Sequence, residues 1–292
     1  MTCIPTASVH THGETIMKNT FRKTLLASLI VPCALVAQSA SAGTLVSDWG
    51  YTVTNTFANA TVTGGAALLP VAGFDGLNPT STLSWGTDIG NGQSSLSING
   101  VSGANGLLTN IAGNSVDGGT FTHDNNAIQG ASLTAFTLLS TLDLTPAVPA
   151  GGPSETVGPV PFAGFFLETP NSAGTCLPGS ESICDDVFTV GDLSVLGDDL
   201  EVSSSFDYDG YNYTVFLRLM GLAVLDDVIC TAAGSVTGCV GLLTQEDNLN
   251  IFNTQFRIVG TEIPVPEPGT LALLGMGIAG LGMSRRKKAA KA

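Results

Sequence analysis

Short runs in which apolar residues alternate with serine, threonine or asparagine, each cut off by a glycine-containing turn, leave this chain few folds to choose from. The alternation is read in Leu83-Ser84-Trp85, Leu96-Ser97-Ile98-Asn99, Leu133 to Leu138, Tyr211-Asn212-Tyr213-Thr214-Val215 and Phe252-Asn253-Thr254-Gln255-Phe256. A period of two places alternate side chains on opposite faces of a strand, so each run predicts a strand with one buried face. Asn91-Gly92, Asn99-Gly100, Asp117-Gly118-Gly119 and Asp209-Gly210 are turn signals between such runs. No long helical stripe interrupts the pattern outside the two end segments. The expectation is an all-β fold, a single antiparallel β-sandwich of jelly-roll-like kind over residues 43–263. With 43% apolar residues a sizeable core is available, and the chain is not of disordered composition. The proline-rich stretch Thr145 to Pro161 is expected to be a long surface loop, because proline cannot donate to a central ladder.

Charge is sparse and unevenly placed. Residues 43–284 hold 23 acidic residues against 2 basic ones, Arg218 and Arg257, a net charge of -21. Nucleic acid is excluded as a partner, since phosphate binding runs on Lys and Arg. The other cations crowd the two ends, and the basic residues therefore read as address labels rather than binding surface. Lys18, Arg22 and Lys23 precede an apolar stretch from Leu25 to Val36, and Ala40 and Ala42 supply the small residues that signal peptidase requires. That layout predicts a secretory signal over residues 1–42, cleaved before Gly43. Met17 is the expected true start, with the first sixteen residues a misassigned upstream extension. Pro32 before Cys33 argues against lipidation at that cysteine.

At the other end, residues 264–292 combine Pro266-Glu267-Pro268, an apolar run over 270–283, and the basic stop Arg285-Arg286-Lys287-Lys288. A helix of this length spans roughly 24 Å at about 1.5 Å per residue, short of the roughly 30 Å hydrocarbon core, so it predicts a marginal transmembrane anchor. The cations past it would stay cytoplasmic and leave the body outside. This three-part end resembles the PEP-CTERM sorting signal. The resemblance implies an exosortase as processing partner and removal of the tail near the motif, after a transient stay in the inner membrane. It further implies a secreted or cell-surface protein in the outer envelope of a Gram-negative bacterium.

Four cysteines remain once the signal is removed. Cys176 and Cys184 flank Pro-Gly-Ser, and Cys230 and Cys239 flank Gly-Ser-Val-Thr-Gly, so two local disulfides are the simplest pairing in an oxidising compartment, although four cysteines allow three connectivities. The spacings do not match a zinc site.

The body carries a resemblance of its own. Ser84-Trp85-Gly86, Gln93-Ser94-Ser95-Leu96, Thr122 to Ile128, Phe165 to Asn171 and Tyr208 to Tyr213 look like the THxN family of PEP-CTERM proteins, whose motif is met by Thr122, His123 and Asn125. That family brings no assigned chemistry, so the resemblance implies a route and leaves the function open.

His123 is the one histidine left after the signal, and Asp124 beside it invites a catalytic pair. Neighbours on a strand point to opposite faces, however, and the expectation is that the motif hydrogen-bonds a turn, with His123 fixing a loop. Asp207-x-Asp-Gly copies the start of a calcium loop, but Arg218 stands where the twelfth ligand belongs, so the segment reads as a hairpin. No cofactor is expected, with calcium held by non-contiguous acidic loops as the alternative. Trp49, Trp85, Tyr51, Tyr208, Tyr211 and Tyr213 are the candidate aromatic platforms for sugars. The expectation is a non-catalytic cell-surface or extracellular-matrix protein. A module binding glycan or exopolysaccharide is the second reading, and a secreted hydrolase the third.

Overall fold

The computed structural model describes residues 43–264, apart from 76, 77, 173, 175, 193–195, 197 and 198, together with residues 274–282. The expected sites at Ala40 and Ala42, Pro266-Glu267-Pro268 and Arg285 to Lys288 lie outside the described residues. Residues 274–282 are helical, and no described helix is long and apolar enough to cross a membrane.

The strands run β1 (Asp48–Val62), β2 (Ala67–Leu68), β3 (Val71–Asp75), β4 (Asn78–Trp85), β5 (Thr87–Asp88) and β6 (Ser94–Asn99). They continue with β7 (Val101–Leu108), β8 (Val116–Asn125), β9 (Ile128–Gln129), β10 (Leu133–Val148), β11 (Glu155–Leu167) and β12 (Asp186–Asp192). The last are β13 (Glu201–Tyr208), β14 (Tyr211–Leu219), β15 (Ala223–Val224), β16 (Cys239–Thr244) and β17 (Asn248–Glu262), with one short helix, α1 (Asp227–Ala232), before β16. Two large antiparallel sheets result, beside a small third one made of β5 and β9. The first has the order β15-β16-β12-β11-β10-β1-β2, with β7 also paired to β1, and the second has the order β13-β14-β17-β8-β6-β4-β3.

Each alternating run of the sequence lies on one of these strands, and its apolar members turn inward. Val53 and Phe57 of β1, Leu83 and Trp85 of β4, Leu96 and Ile98 of β6, Phe121 of β8 and Phe256 and Ile258 of β17 are all buried in one core that both sheets share. Aromatic rings cross between the sheets: Phe121 of β8 meets Phe57, Phe136 and Phe188 of the first sheet. Trp49 of β1 is fully buried and meets Phe206, Tyr208 and Tyr213 edge-on. A polar pin sits among them. Asn55 donates to the carbonyls of Asn99 (2.7 Å) and Gly118 (3.0 Å) and accepts from Ser140 (2.6 Å), so a buried amide that would otherwise be costly ties the two sheets together.

Two expectations are corrected. Thr145 to Pro161 is not a long loop. Thr145 to Val148 finish β10 and pair with β1, and Glu155 to Pro161 open β11 and pair with β10 through Leu142↔Val157, Asp143↔Thr156 and Leu144↔Glu155. Pro159 falls where the register shifts between Ser140 and Leu142, and β12 pairs with β11 only from Gly164 to Leu167. The proline-bearing half of β11 is therefore an edge with a bulge, the two settings in which a strand tolerates proline. Asp117-Gly118-Gly119 is likewise no turn. It lies inside β8 opposite a register shift in β17, and a Cβ on Gly118 would sit 2.5 Å from the Phe256 ring. The glycines there serve close approach rather than chain reversal.

Asp209-Gly210 does form the hairpin read from the sequence, joining β13 to β14 with both residues at positive φ (42° and 77°), the signature of a type I′ turn. Replacing Gly210 by alanine would impose the left-handed penalty and set a Cβ 3.0 Å from the backbone nitrogen of Gly43. Chemical denaturation of Gly210→Ala should show a loss of about 1–2 kcal/mol. An unchanged midpoint would remove this turn from the determinants of register.

Both local disulfides are present, Cys176–Cys184 and Cys230–Cys239. The second joins α1 to the start of β16 and is fully buried, while the first ties the segment before β12.

Candidate functional site

β8 decides where the family-motif residues go. Its burial alternates, so Phe121, His123 and Asn125 point into the core while Asp124 is exposed on the other face and Thr122 is half-buried on that face. The motif is thus extended strand, and the expectation of a hydrogen-bonded turn is overturned because β8 pairs on both sides, with β6 and β17, through these residues. The sequence argument that Asp124 cannot orient His123 holds for the same reason.

His123 is fully buried. Its ring stacks on Trp85 at 5.6 Å between centroids and meets the edge of Phe166 at 5.1 Å. Its Nδ1 lies 2.9 Å from the hydroxyl of Thr244 at the end of β16. Burial lowers its pKa to about 3, so the imidazole is neutral. Asn125, two residues on, donates to the Thr244 carbonyl at 3.3 Å. Two positions of β8 therefore clasp one residue of the opposite sheet.

Around this clasp stand three carboxyl groups from three separate segments. Glu168, just after β11, accepts from the Trp85 indole at 2.9 Å. Asp186, the first residue of β12, is fully buried and accepts from the Thr169 backbone N–H at 2.7 Å and from the Thr169 hydroxyl at 3.1 Å. Glu246 follows β16, and Asn171, with its amide oriented to satisfy its neighbours, donates to it at 2.9 Å. Burial raises Glu168 to about 7, with the indole hydrogen bond opposing. Glu246 is also raised to about 7, chiefly by burial and then by the charge of Glu168. Asp186 is raised by burial, then by Glu168 and Glu246. Nearby, Asp185 is held by the backbone N–H groups of Glu181 (2.9 Å) and Ser182 (2.8 Å). Four buried atoms of the node have no hydrogen-bond partner among the described residues: His123 Nε2, Asn125 Oδ1, Glu168 Oε1 and Asp186 Oδ2.

Segments quoted above for the family resemblance thus converge here: Trp85, His123, Asn125, Glu168, Thr169 and Asn171 share one node. Sequence reading considered Asp186 only within an acidic pair for calcium, and it missed Thr244 and Glu246. Among the described residues no group of three or more His, Cys, Asp or Glu is arranged to hold a metal ion. Several other acidic residues have local duties. Asp207 accepts from Asn212 at 2.7 Å, Asp209 from the Thr44 backbone at 3.0 Å, and Asp227 from the Gly238 backbone at 2.9 Å. The proposed sugar platforms are largely spent on packing, since Trp49, Trp85 and Tyr213 are buried.

The comparisons with known proteins concern the tail. Residues 264–287 match the family model of the PEP-CTERM protein-sorting motif. The chain carries an exosortase sorting signal. The motif marks an exported protein bound for the cell surface or extracellular space, with an exosortase as its processing partner, and two disulfides accord with an oxidising compartment. No curated protein and no solved structure matches the chain significantly.

A second feature lies on the outer face of the second sheet. There β13, β14 and β17, together with residues 110–115, line a groove of about 740 Å³. Glu201 pairs with Arg218 across β13 and β14, and Arg218 with Gln255 across β14 and β17. Arg257 forms an ion pair with Glu201 and lies 3.7 Å over the Phe216 ring. Asn110 exchanges hydrogen bonds with Gly260 (2.8 and 3.0 Å), and Ser115 donates to Gln255 at 3.2 Å, which pins the segment that walls the groove. Both basic residues of the body lie here, so the reading of all basic residues as address labels fails for these two.

Proposed function

We propose that this is an exosortase-processed cell-surface or extracellular-matrix protein of a Gram-negative envelope, related to the THxN group, whose β body works through its surface without turning over a substrate. The observation that carries the reading is the sorting motif at residues 264–287, joined to a disulfide-bonded β body. The chemistry of the node supports it. The one hydroxyl–imidazole pair among the described residues, Thr244 with His123, has both members fully buried, so a substrate carbonyl has no line of approach to the hydroxyl.

Deleting the exosortase should leave a larger, membrane-bound form, and mass spectrometry of the normal exported protein should find its C-terminus near Pro266 to Pro268. A full-length tail in normal cells would defeat the processing claim. The hydrolase reading keeps one specific observation in its favour: Glu168 is raised to about 7, the range of a general-acid carboxyl, and a second carboxyl, Glu246, stands close enough to feel its charge. A polysaccharide-hydrolase panel on wild type and Glu168→Gln separates the two. Activity in the wild type that vanishes in a folded Glu168→Gln protein would establish the hydrolase.

A further inference from the structure

We propose that the groove on the outer face of β13, β14 and β17 is a binding site for a carboxylate-bearing polysaccharide, with Arg218 as its carboxylate-reading residue. Three observations converge on it. The first is placement. Only Arg218 and Arg257 are basic among residues 43–284, and both line this one groove, so an anionic ligand repelled elsewhere by the surplus of acids meets cationic groups here and nowhere else on the described body.

The second is division of labour between the two arginines. Arg257 is committed to Glu201 and the Phe216 ring. Arg218 is exposed and makes no ion pair or side-chain hydrogen bond among the described residues, although Glu201 stands directly across from it. The pairing of Glu201 with Arg257 leaves Arg218 available, and a guanidinium is the side chain whose fixed fork of donors fits a carboxylate bidentately.

The third is the remaining lining. Asn114 and Gln255 bring amide groups, Asn110 and Ser115 brace the wall, and no tyrosine or tryptophan lines the groove among the described residues. The amide oxygens already accept from the Leu108 backbone and from Ser115, which points the NH2 donors at sugar hydroxyls, and one guanidinium suits the acid group of a uronic acid residue. The groove is large enough for more than one sugar ring, since ligand pockets of about 300–1,000 Å³ hold drug-sized molecules. A neutral glycan would have no use for Arg218, and a phosphate-rich polymer would meet Asp199 and Glu201 at higher charge density than a uronate chain.

This deepens the surface-protein reading and rests on it only for meeting extracellular polymer; binding is measured on purified protein, so its failure leaves the processing result untouched. The test uses the full chain in detergent, titrated by calorimetry with oligogalacturonate and with the same oligomer after reduction of its carboxyl groups. The salt is about 0.15 M, where the Debye length is about 8 Å and distant carboxylates are screened. The expected result is binding of the carboxylated form, loss of at least about tenfold in affinity in Arg218→Gln and in Arg218→Ala, and partial retention in Arg218→Lys, which keeps charge but not the fork. Unfolding temperatures equal to wild type certify the variants. The proposal is overturned by no binding in the wild type, by equal binding of the reduced oligomer, or by undiminished affinity in both Arg218→Gln and Arg218→Ala.

Discussion

The body is expected to unfold at a lower temperature at about pH 8 than at about pH 5, by about 6–12 °C, over a range in which carboxyls of unshifted pKa would leave stability flat. The cause is the node at the end of β8. Glu168 and Glu246 titrate near 7 in the folded protein against 4.5 for an ordinary glutamate, and Asp186 is raised in the same direction. Between those values the folded state holds protons that the unfolded state has already released. The stabilisation is therefore complete below the unfolded pKa and is lost as pH rises through the folded one. His123 opposes this. Its folded pKa of about 3 against 6.5 means that stability is lost as pH falls below 6.5. Three carboxyls outweigh one imidazole in the shared window, and after discounting for the half-exposed Glu246 a net change on the order of 3 kcal/mol remains. Glu168→Gln keeps an acceptor for the Trp85 indole and removes the charge that also acts on Asp186 and Glu246. It should stabilise the protein at about pH 8 and flatten the pH dependence. Asp185 and Asp247 also act on Glu246, so some slope persists. Thermal scans of both proteins at the two pH values decide the matter: a wild type more stable at about pH 8, or a Glu168→Gln profile parallel to wild type, would show that these carboxyls are not the titrating groups.

Most strands could be read from the sequence because each buries one face, and that leaves a period of two. Where the period failed, special backbone had replaced it. Gly118 and Gly119 look like a turn because the same residue types serve chain reversal and the close passage of Phe256. Pro159 and Pro161 look like loop residues because their sequence does not tell that β12 leaves this part of β11 unpaired on one side. The node was legible only in part. Trp85, His123 and Glu168 stood out in their segments, but their meeting with Asp186, Thr244 and Glu246 depends on β11, β12 and β16 lying side by side, an order that local patterns do not encode. One trace was there to be found: Glu168 directly follows Phe165-Phe166-Leu167, an acid at the end of an apolar strand, which signals a carboxyl at the margin of a core. The groove left a plainer trace in the isolation of Arg218 and Arg257, yet their nearness to each other is a matter of strand register.

His123 offers the sharpest separation of packing from chemistry. Truncation to alanine would empty the space between Trp85 and Phe166 and leave the Thr244 hydroxyl without its closest partner, so His123→Ala should lose about 3–5 kcal/mol, as buried aromatic truncations do. His123→Phe restores a flat ring between the same neighbours. It forgoes one hydrogen bond, worth about 1 kcal/mol, and Thr244 keeps a longer contact of 3.4 Å to the Asp186 carbonyl. A neutral imidazole already behaves as a weakly polar ring here, so the phenyl replacement should cost under about 2 kcal/mol, and urea denaturation of the three proteins measures the difference. The ranking matters because a catalytic imidazole is irreplaceable by phenyl at any stability. If His123→Phe folds and keeps every surface property of the wild type, including oligogalacturonate binding at Arg218, the histidine is a packing and positioning residue that sets the spacing of the two sheets beneath the carboxyl node. Tolerance of His123→Ala with less than about 1 kcal/mol lost would refute the packing role.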